Sequence, residues 1–281
     1  MLVVDSQIHL WKGDGAPPHH RQRPYLAAEA VADMDRAGID AAINHPPIWD
    51  LDSNSYAIEC AEAFPRRFAT LGWLKLDRPD APERVRRWRT QAGMIGLRFL
   101  CKSEDERSWP VDGTMDWLWP LAEELELPIA LCGSTLLPLV ESIASRHPAL
   151  KLTIDHLGFV GYTAAGGLIQ ADGLLSWNRF PNVAVKLTGA PGYATDDYPF
   201  KSMHDTVRSL YDAFGPERLF WGSDITRLKC TWRQCKTMFT EEMPWLSATD
   251  LDLIMGEAFC RWHRWRPHAF SSSPGPSGSD G

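Results

Sequence analysis

Short apolar runs alternate with longer helical patterns along this 281-residue chain, and that alternation limits the folds open to it. Eight runs have the length and β-branched character of buried strands: Val3–His9, Ala41–Asn44, Phe68–Trp73, Gly96–Leu100, Pro128–Leu131, Lys151–Asp155, Asn182–Leu187 and Leu219–Gly222. Each is followed by a stretch with helical spacing: Ala27–Ala37, Ser55–Phe64, Pro82–Ala92, Met115–Leu125, Leu137–Ser145, Gly173–Arg179, Met203–Phe214 and Ala248–Cys260. Eight strand–helix units in about 250 residues favour an α/β protein with one closed barrel.

The competing architecture is an open, doubly wound sheet, which also alternates strands with helices. Its usual dinucleotide fingerprint, Gly-x-Gly-x-x-Gly, does not follow the first strand. We therefore predict a single (β/α)8 TIM barrel over residues 1–268. Residues 269–281 are rich in Ser, Gly and Pro, and this composition predicts a disordered tail without a function of its own.

Composition indicates which kinds of molecule the protein can bind. The net charge is −7 and the basic residues are scattered, which argues against nucleic acid as a ligand. No apolar run approaches the roughly 20 residues that a bilayer requires, and Leu2–Val4 lead straight into polar residues rather than a leader-type stretch. We therefore expect a cytoplasmic protein with a small-molecule substrate. The six cysteines form no Cys-x-x-Cys pair and are expected to be buried thiols, and a homo-oligomer remains open.

Three of the strand-like runs end in polar side chains that can carry chemistry. The first ends in Asp5-Ser6-Gln7-Ile8-His9, and because side chains alternate along a strand, Gln7 and His9 share a face with Asp5. The sixth ends in Asp155-His156, and the eighth in Ser223-Asp224. Because catalytic groups of a βα barrel come from the carboxyl ends of its strands, we predict one site containing Gln7, His9, His156 and Asp224.

Other side chains at the same end of the barrel are candidates for substrate contacts. Arg98, in the fourth strand, offers a planar fork for a carboxylate, or alternatively an ion pair inside the barrel. Lys186, in the seventh strand, offers a point charge, or alternatively a bond to a neighbouring strand. Four residues of the following loops could line a pocket or simply pack: Trp11, His45, Trp49 and Tyr193.

Four ordered motifs carry a resemblance to a known family. They are Asp5–Trp11, Ile154–Gly158, Val185–Gly189 and Trp221–Asp224. Together they resemble the amidohydrolase superfamily, in the branch that includes sugar-acid and pyrone-dicarboxylate lactonases. The resemblance implies a distorted (β/α)8 barrel. It also implies that His9, His156 and Asp224 stand at metal-ligand or catalytic positions.

The chain departs from that family where metal would bind. Gln7 replaces the first of two histidines, and Cys132 stands where many metal-dependent members have a histidine. The fourth strand has Arg98 instead of a bridging lysine or glutamate. A binuclear site is therefore not expected. A mononuclear site stays open as an alternative, with one divalent ion, most readily zinc, bound by His9, His156, Asp224 and water. The amide of Gln7 is a poorer zinc donor than the imidazole it replaces.

We favour a site without a cofactor. There, Asp224 activates water, His156 and His9 hold or polarise a carbonyl, and Gln7 donates an N–H to the developing oxyanion. The first hypothesis is a hydrolase that opens a lactone or related cyclic ester of a small carboxylated or hydroxylated compound. The second is a metal-dependent decarboxylase or other carbon–carbon lyase, and the third a non-catalytic, ligand-binding barrel. Ile225-Thr226-Arg227 stands where related lactonases commonly have Trp-Pro, so their substrates do not transfer.

Overall fold

The computed structural model describes residues 1–164 and 166–267, so the predicted tail at 269–281 lies outside the described residues. Within them the strands are β1 Val4–Ile8, β2 Ala41–Asn44, β3 Phe68–Gly72, β4 Met94–Phe99, β5 Ile129–Leu131, β6 Leu152–Ile154, β7 Phe159–Tyr162, β8 Leu168–Gln170, β9 Val183–Lys186 and β10 Leu219–Phe220. The α-helices are α1 Ala27–Ala37, α2 Ser53–Ala63, α3 Ala81–Arg86, α4 Trp109–Asp112, α5 Leu118–Glu124, α6 Val140–Arg146, α7 Ala190–Tyr193, α8 His204–Phe214, α9 Trp232–Thr240, α10 Ala248–Asp252 and α11 Ala258–His263.

Eight of the strands form one parallel sheet in the order β1-β2-β3-β4-β5-β6-β9-β10. The two edges meet, because the Ser6 N–H donates to the Trp221 carbonyl (3.1 Å) and the Asp224 N–H donates to the Gln7 carbonyl (2.9 Å). The predicted (β/α)8 barrel is therefore confirmed, and each of the eight predicted strands is present. A strand order that follows the chain without reversal excludes the doubly wound sheet.

The barrel departs from eight regular units after its sixth and eighth strands. An antiparallel hairpin, β7–β8, follows β6, and the helix predicted there is a 3₁₀ helix over Leu174–Arg179. After β10, the sequence-based prediction omitted α9, which begins with a capping box between Thr231 and Gln234. The helix predicted over Ala248–Cys260 is divided by a π-helical turn at Leu253–Glu257. None of the described helices has the length and apolar character needed to cross a bilayer.

A buried carboxylate holds the barrel closed where β10 returns to β1. Asp5 is fully buried and accepts hydrogen bonds from the backbone N–H of Gln7 (3.0 Å) and Ser223 (2.9 Å) and from the indole of Trp232 (2.6 Å). Gly222 is required beside it, since a Cβ there would lie 2.6 Å from Ser6 Oγ. Asp5 therefore joins β1, the end of β10 and α9, and does not face the mouth, where His9 lies.

The charge of Asp5 makes stability depend on pH. Burial raises its pKa from 3.8 to about 6. Because the folded value lies above the unfolded one, its stabilising term is full at low pH and is lost as pH rises through about 6. Asp5→Asn cannot ionise, so its deficit in unfolding free energy relative to wild type should shrink by roughly 3 kcal/mol between about pH 4 and pH 7, measured by urea unfolding. The exposed Asp14→Asn is the control, and a deficit independent of pH would contradict the assignment.

Candidate active site

A cavity of about 560 Å³ opens at the carboxyl ends of the barrel strands. Loops after seven of the eight barrel strands contribute to its wall, β3 being the exception. Six of the ten predicted site residues line it together: His9, Trp49, Arg98, His156, Tyr193 and Asp224. More than half of the residues predicted from the sequence therefore share one cavity. Their contacts indicate what each of them can do.

His9 and Asp224 face each other across the join between β1 and β10. The ring Nδ1 of His9 donates its proton to the carbonyl oxygen of His45 (2.6 Å), which leaves Nε2 for the carboxylate. That Nε2 atom lies 3.2 Å from Oδ1 of Asp224. Contact at this distance is attractive when a proton lies on Nε2 between the two atoms. The pair can therefore accept a proton at the carboxylate and donate one at the imidazole.

Asp224 is held as an ionised carboxylate. It occupies a left-handed backbone conformation (φ 53°) immediately after Ser223, which turns its buried side chain into the mouth. Burial alone would raise its pKa, but the hydrogen bond and charge of His9 and the charge of Arg227 outweigh burial and hold the pKa of Asp224 well below its usual range. Nη1 of Arg227 lies 3.1 Å from Oδ2 and fixes the orientation of the carboxylate. The carboxylate is therefore ionised at neutral pH, which is the form that can accept a proton.

His156 is a neutral imidazole with a defined tautomer. Burial lowers its pKa to about 4. The Gln7 amide nitrogen donates to Nε2 of His156 (3.2 Å), so the proton lies on Nδ1, which donates to Thr188 Oγ1 (3.1 Å). The residue also has positive φ (54°), which presents the ring to the cavity. His156 therefore forms part of the cavity wall beside the Asp224 carboxylate, and its ring proton is already donated to Thr188.

Gln7 and Lys186 lie behind that wall and do not reach the cavity. Both are fully buried, and neither lines the cavity. Lys186 Nζ has three partners for its three protons: Asp155 Oδ1 (2.8 Å), Gln7 Oε1 (3.2 Å) and His45 Nε2 (3.0 Å). Lys186 donates to the side-chain oxygen of Gln7. The side-chain N–H of Gln7 therefore points toward His156 and not into the cavity. The expected substrate contacts of Gln7, Lys186 and His45 are thus corrected to supporting contacts.

Arg98 forms the ion pair inside the barrel that was one of its two predicted roles, and it also lines the cavity. Its Nε donates to Oδ2 of Asp155 (2.6 Å). Arg98 and Lys186 together outweigh the effect of burial and hold the pKa of Asp155 well below its usual range. One buried carboxylate therefore anchors two cations, one of which faces the cavity.

The aromatic wall differs from the prediction at one residue. Trp11 is fully buried and packs edge-on against Trp49, with ring centroids 5.7 Å apart, so Trp49 forms the wall and Trp11 supports it. The predicted contact of Trp11 with substrate is corrected on this ground. Tyr193 lines the opposite side, where it packs against Phe159 of the hairpin at 4.8 Å.

Several lining residues were not predicted from the sequence, including His19, His20 and Arg227. His19 and His20 come from the long loop after β1, and His20 Nδ1 lies 2.9 Å from Thr226 Oγ1, which pins that loop over the mouth. Arg227 follows Asp224 by three positions and lines the cavity together with Tyr193. Its closeness to Asp224 along the chain was the available signal. The histidines carried no signal, because the loop has no regular period.

Comparison with known proteins decides the family. The amidohydrolase family model matches residues 4–262. This chain belongs to the amidohydrolase family. An L-fucono-1,5-lactonase of Burkholderia ambifaria is 25% identical to this amidohydrolase over 236 residues, which are 80% of this chain and 81% of that protein. A 4-sulfomuconolactone hydrolase of Hydrogenophaga intermedia is 26% identical over 230 residues, 78% of this chain and 73% of that one.

A solved neighbour shares the fold of this amidohydrolase. It is a crystal structure of an amidohydrolase from Burkholderia multivorans with bound zinc, with a TM-score of 0.77 and 24% sequence identity. The match covers 94% of this chain and all of that one. The zinc in that structure raises the question of whether the residues of this amidohydrolase fit a metal ion.

The donor atoms of the described residues do not fit a resident divalent metal. Among those residues, one trio brings its ligand atoms within 4.8 Å of one another, and it is Cys132, Asp155 and His156 rather than the set predicted from sequence. The carboxylate of that trio already neutralises Arg98 and Lys186, whose charges would repel a cation. His156 Nε2 accepts the Gln7 N–H, so its lone pair is in use.

The buried carboxylate behind the site should be needed for folding. Asp155→Asn leaves Arg98 and Lys186 buried without a counter-charge, and we expect the free energy of unfolding in urea to fall by about 3–5 kcal/mol. The matched control is Glu141→Gln, which removes a surface ion pair with Arg179 and should cost less than about 1 kcal/mol. Equal losses in the two variants would contradict the role assigned to Asp155.

Proposed function

We propose that this amidohydrolase opens a lactone or related cyclic ester of a small, carboxylated compound by hydrolysis. The observation that carries the proposal is the contact between His9 Nε2 and Asp224 Oδ1, at 3.2 Å, on the wall of the cavity. It combines a proton acceptor and a proton donor in one place. The two lactone-opening relatives support the same reaction class.

In the proposed reaction, the Asp224 carboxylate takes a proton from water as its oxygen bonds to the lactone carbonyl carbon. The bond between that carbon and the ring oxygen then breaks. The proton on His9 Nε2 passes to the departing ring oxygen, and the product is a hydroxy acid. Arg227 keeps Asp224 oriented throughout by its contact with Oδ2 at 3.1 Å.

The charge of the cavity supports a carboxylated substrate. Among the described lining residues, Arg98, Lys102 and Arg227 are cationic and Asp224 is the acidic one. Arg98 uses Nε for Asp155, so the outer edge of its guanidinium is directed to the cavity. A planar donor fork binds a carboxylate through two hydrogen bonds. The substrate would therefore bring a negative charge in addition to its ester.

We also propose that the reaction proceeds without a metal. The arrangement of Arg98 and Lys186 around Asp155 supports this, since it places two positive charges where the closest donor trio would hold a cation. The metal-dependent decarboxylase or lyase is the second candidate, and no contact in the cavity favours it. The His9–Asp224 pair argues against a non-catalytic, ligand-binding barrel. Burying a carboxylate costs folding free energy unless the group serves stability or chemistry.

Removal of the proposed base tests the reaction directly. Asp224→Asn keeps the shape of the side chain and removes its negative charge, so kcat for any lactone turned over by the wild type should fall by roughly 10²–10⁴-fold. Calorimetric binding of the same lactone should persist. The exposed Asp172→Asn is the control and should retain full activity. Retention of wild-type kcat by the Asp224 variant would refute the assignment.

Chelation separates the hydrolase from the lyase. Full-length protein treated with a chelator and desalted should keep its lactonase rate, and elemental analysis of the protein as purified should find far less than one metal ion per chain. The reason is that the carboxylate of the candidate trio among the described residues is already paired with Arg98 and Lys186. Activity lost on chelation and restored by zinc or manganese would overturn the metal-free mechanism.

Lys102 tests the charge of the substrate. It lines the cavity, is exposed, and makes no ion pair among the described residues. Lys102→Met should raise KM for carboxylated lactones roughly fivefold, as expected for loss of a half-solvated charge pair of about 1 kcal/mol. KM for uncharged lactones should not change. Lys201→Met, away from the cavity, is the control, and an equal effect on both classes of lactone would contradict the charge argument.

Two further properties remain predictions from the sequence. We propose a cytoplasmic location for this enzyme, in agreement with the finding that no described helix could cross a membrane. A homo-oligomer is also proposed as an open alternative to a monomer. Light scattering of the purified protein measures its molar mass in solution and so distinguishes the monomer from the oligomer.

A further inference from the structure

Two cysteines outside the catalytic cavity lie in contact with each other. The sulfur atoms of Cys230 and Cys235 are 3.5 Å apart. Cys235 is buried in the first turns of α9, and Cys230 is half-buried just before the N-cap residue Thr231. These are the two positions that a hydrophobic staple occupies, so the contact follows from the way the chain enters the helix. Neither residue lines the catalytic cavity.

The helix that carries Cys235 is held against the barrel by two indole hydrogen bonds. Trp221 donates its indole N–H to the carbonyl of Cys235 (3.2 Å), and Trp232 donates to buried Asp5 (2.6 Å). Both contacts dock α9 on the closed end of the sheet. Closing the gap between the sulfur atoms therefore requires a small movement of the loop at Cys230 rather than of the helix.

Cys230 opens on an outer groove of about 950 Å³ that carries positive charge. Six basic side chains and one acidic side chain line it. The more distant arginines pair with Glu29 and Asp33. The two nearest cations, Lys229 and Arg233, are exposed and make no ion pair among the described residues. An anionic molecule in the groove would be drawn toward Cys230.

The other cysteines lack these properties. Cys60, Cys101, Cys132 and Cys260 are buried, and burial raises the pKa of all four thiols, to about 11 for Cys60 and about 12 for Cys101. The hydrogen bond between the two thiols, in contrast, lowers the pKa of Cys230. The thiolate is the reactive form of cysteine, so Cys230 is the thiol most readily attacked or oxidised.

We propose that Cys230 and Cys235 form a reversible disulfide by exchange with an anionic, low-molecular-weight disulfide that binds in the groove. The Cys230 thiolate attacks one sulfur of the reagent, which breaks its S–S bond, forms a mixed disulfide and releases one small thiolate. The Cys235 thiolate then attacks the Cys230 sulfur and releases the second small thiol. Two protein thiols are oxidised and one small disulfide is reduced to two thiols.

The test uses the full-length, reduced and desalted protein with oxidised glutathione as the anionic reagent and cystamine as the cationic one. Intact mass should fall by two hydrogens, and peptide mapping should join Cys230 to Cys235. At low salt, oxidised glutathione should react roughly tenfold faster than cystamine, and high salt should remove the difference. A disulfide elsewhere, or a thiol pair that stays reduced, would overturn the proposal.

Single variants separate the two roles. Cys235→Ser should stop at the mixed disulfide and keep the mass of one glutathione, while Cys230→Ser should not react, because Cys235 is buried. Lys229→Ala with Arg233→Ala should lose the preference for the anionic reagent, and Cys60→Ser, as control, should behave as wild type. Disulfide formation in the Cys230 variant, or an unchanged preference in the charge variant, would count against the site.

Discussion

The catalytic end of this barrel depends on one buried carboxylate, Asp155. It forms ion pairs with Arg98 from β4 and Lys186 from β9, and it follows β6 directly, so three strands meet at one negative charge. Lys186 extends the network to Gln7 on β1 and to His45 after β2. Charges buried in this way are tolerated only when each has its partners. The network therefore fixes the relative positions of five strand ends.

That network also sets the chemical state of the residues in front of it. Lys186 holds the Gln7 carbonyl, Gln7 in turn donates to His156, and His156 stays neutral with its proton on Nδ1. On the other side of the mouth, His9 and Arg227 keep Asp224 ionised. A neutral imidazole and an ionised carboxylate thus face the same cavity, each held in its state by neighbours from other strands.

The barrel and its candidate catalytic set could be predicted because both depend on local pattern. Strand-length apolar runs followed by helical periods predict the eight units, and strand ends in a barrel share one mouth. The unpredicted elements include the hairpin β7–β8 and α9, which lie in loops without a clear period. The cavity residues His19 and His20 were missed for the same reason, since they reach the mouth through the path of a long loop.

The sequence by itself determined the family, the order of strands, and the presence of His9, His156 and Asp224 at strand ends. The tertiary structure alone decided which polar groups face the substrate. Gln7 and Lys186 are as polar as Asp224, yet both are buried behind the wall, because a buried hydrogen-bonding group must find its partners wherever the packed strands place them. Spacing along the chain cannot specify those partners, since they come from strands far apart in sequence.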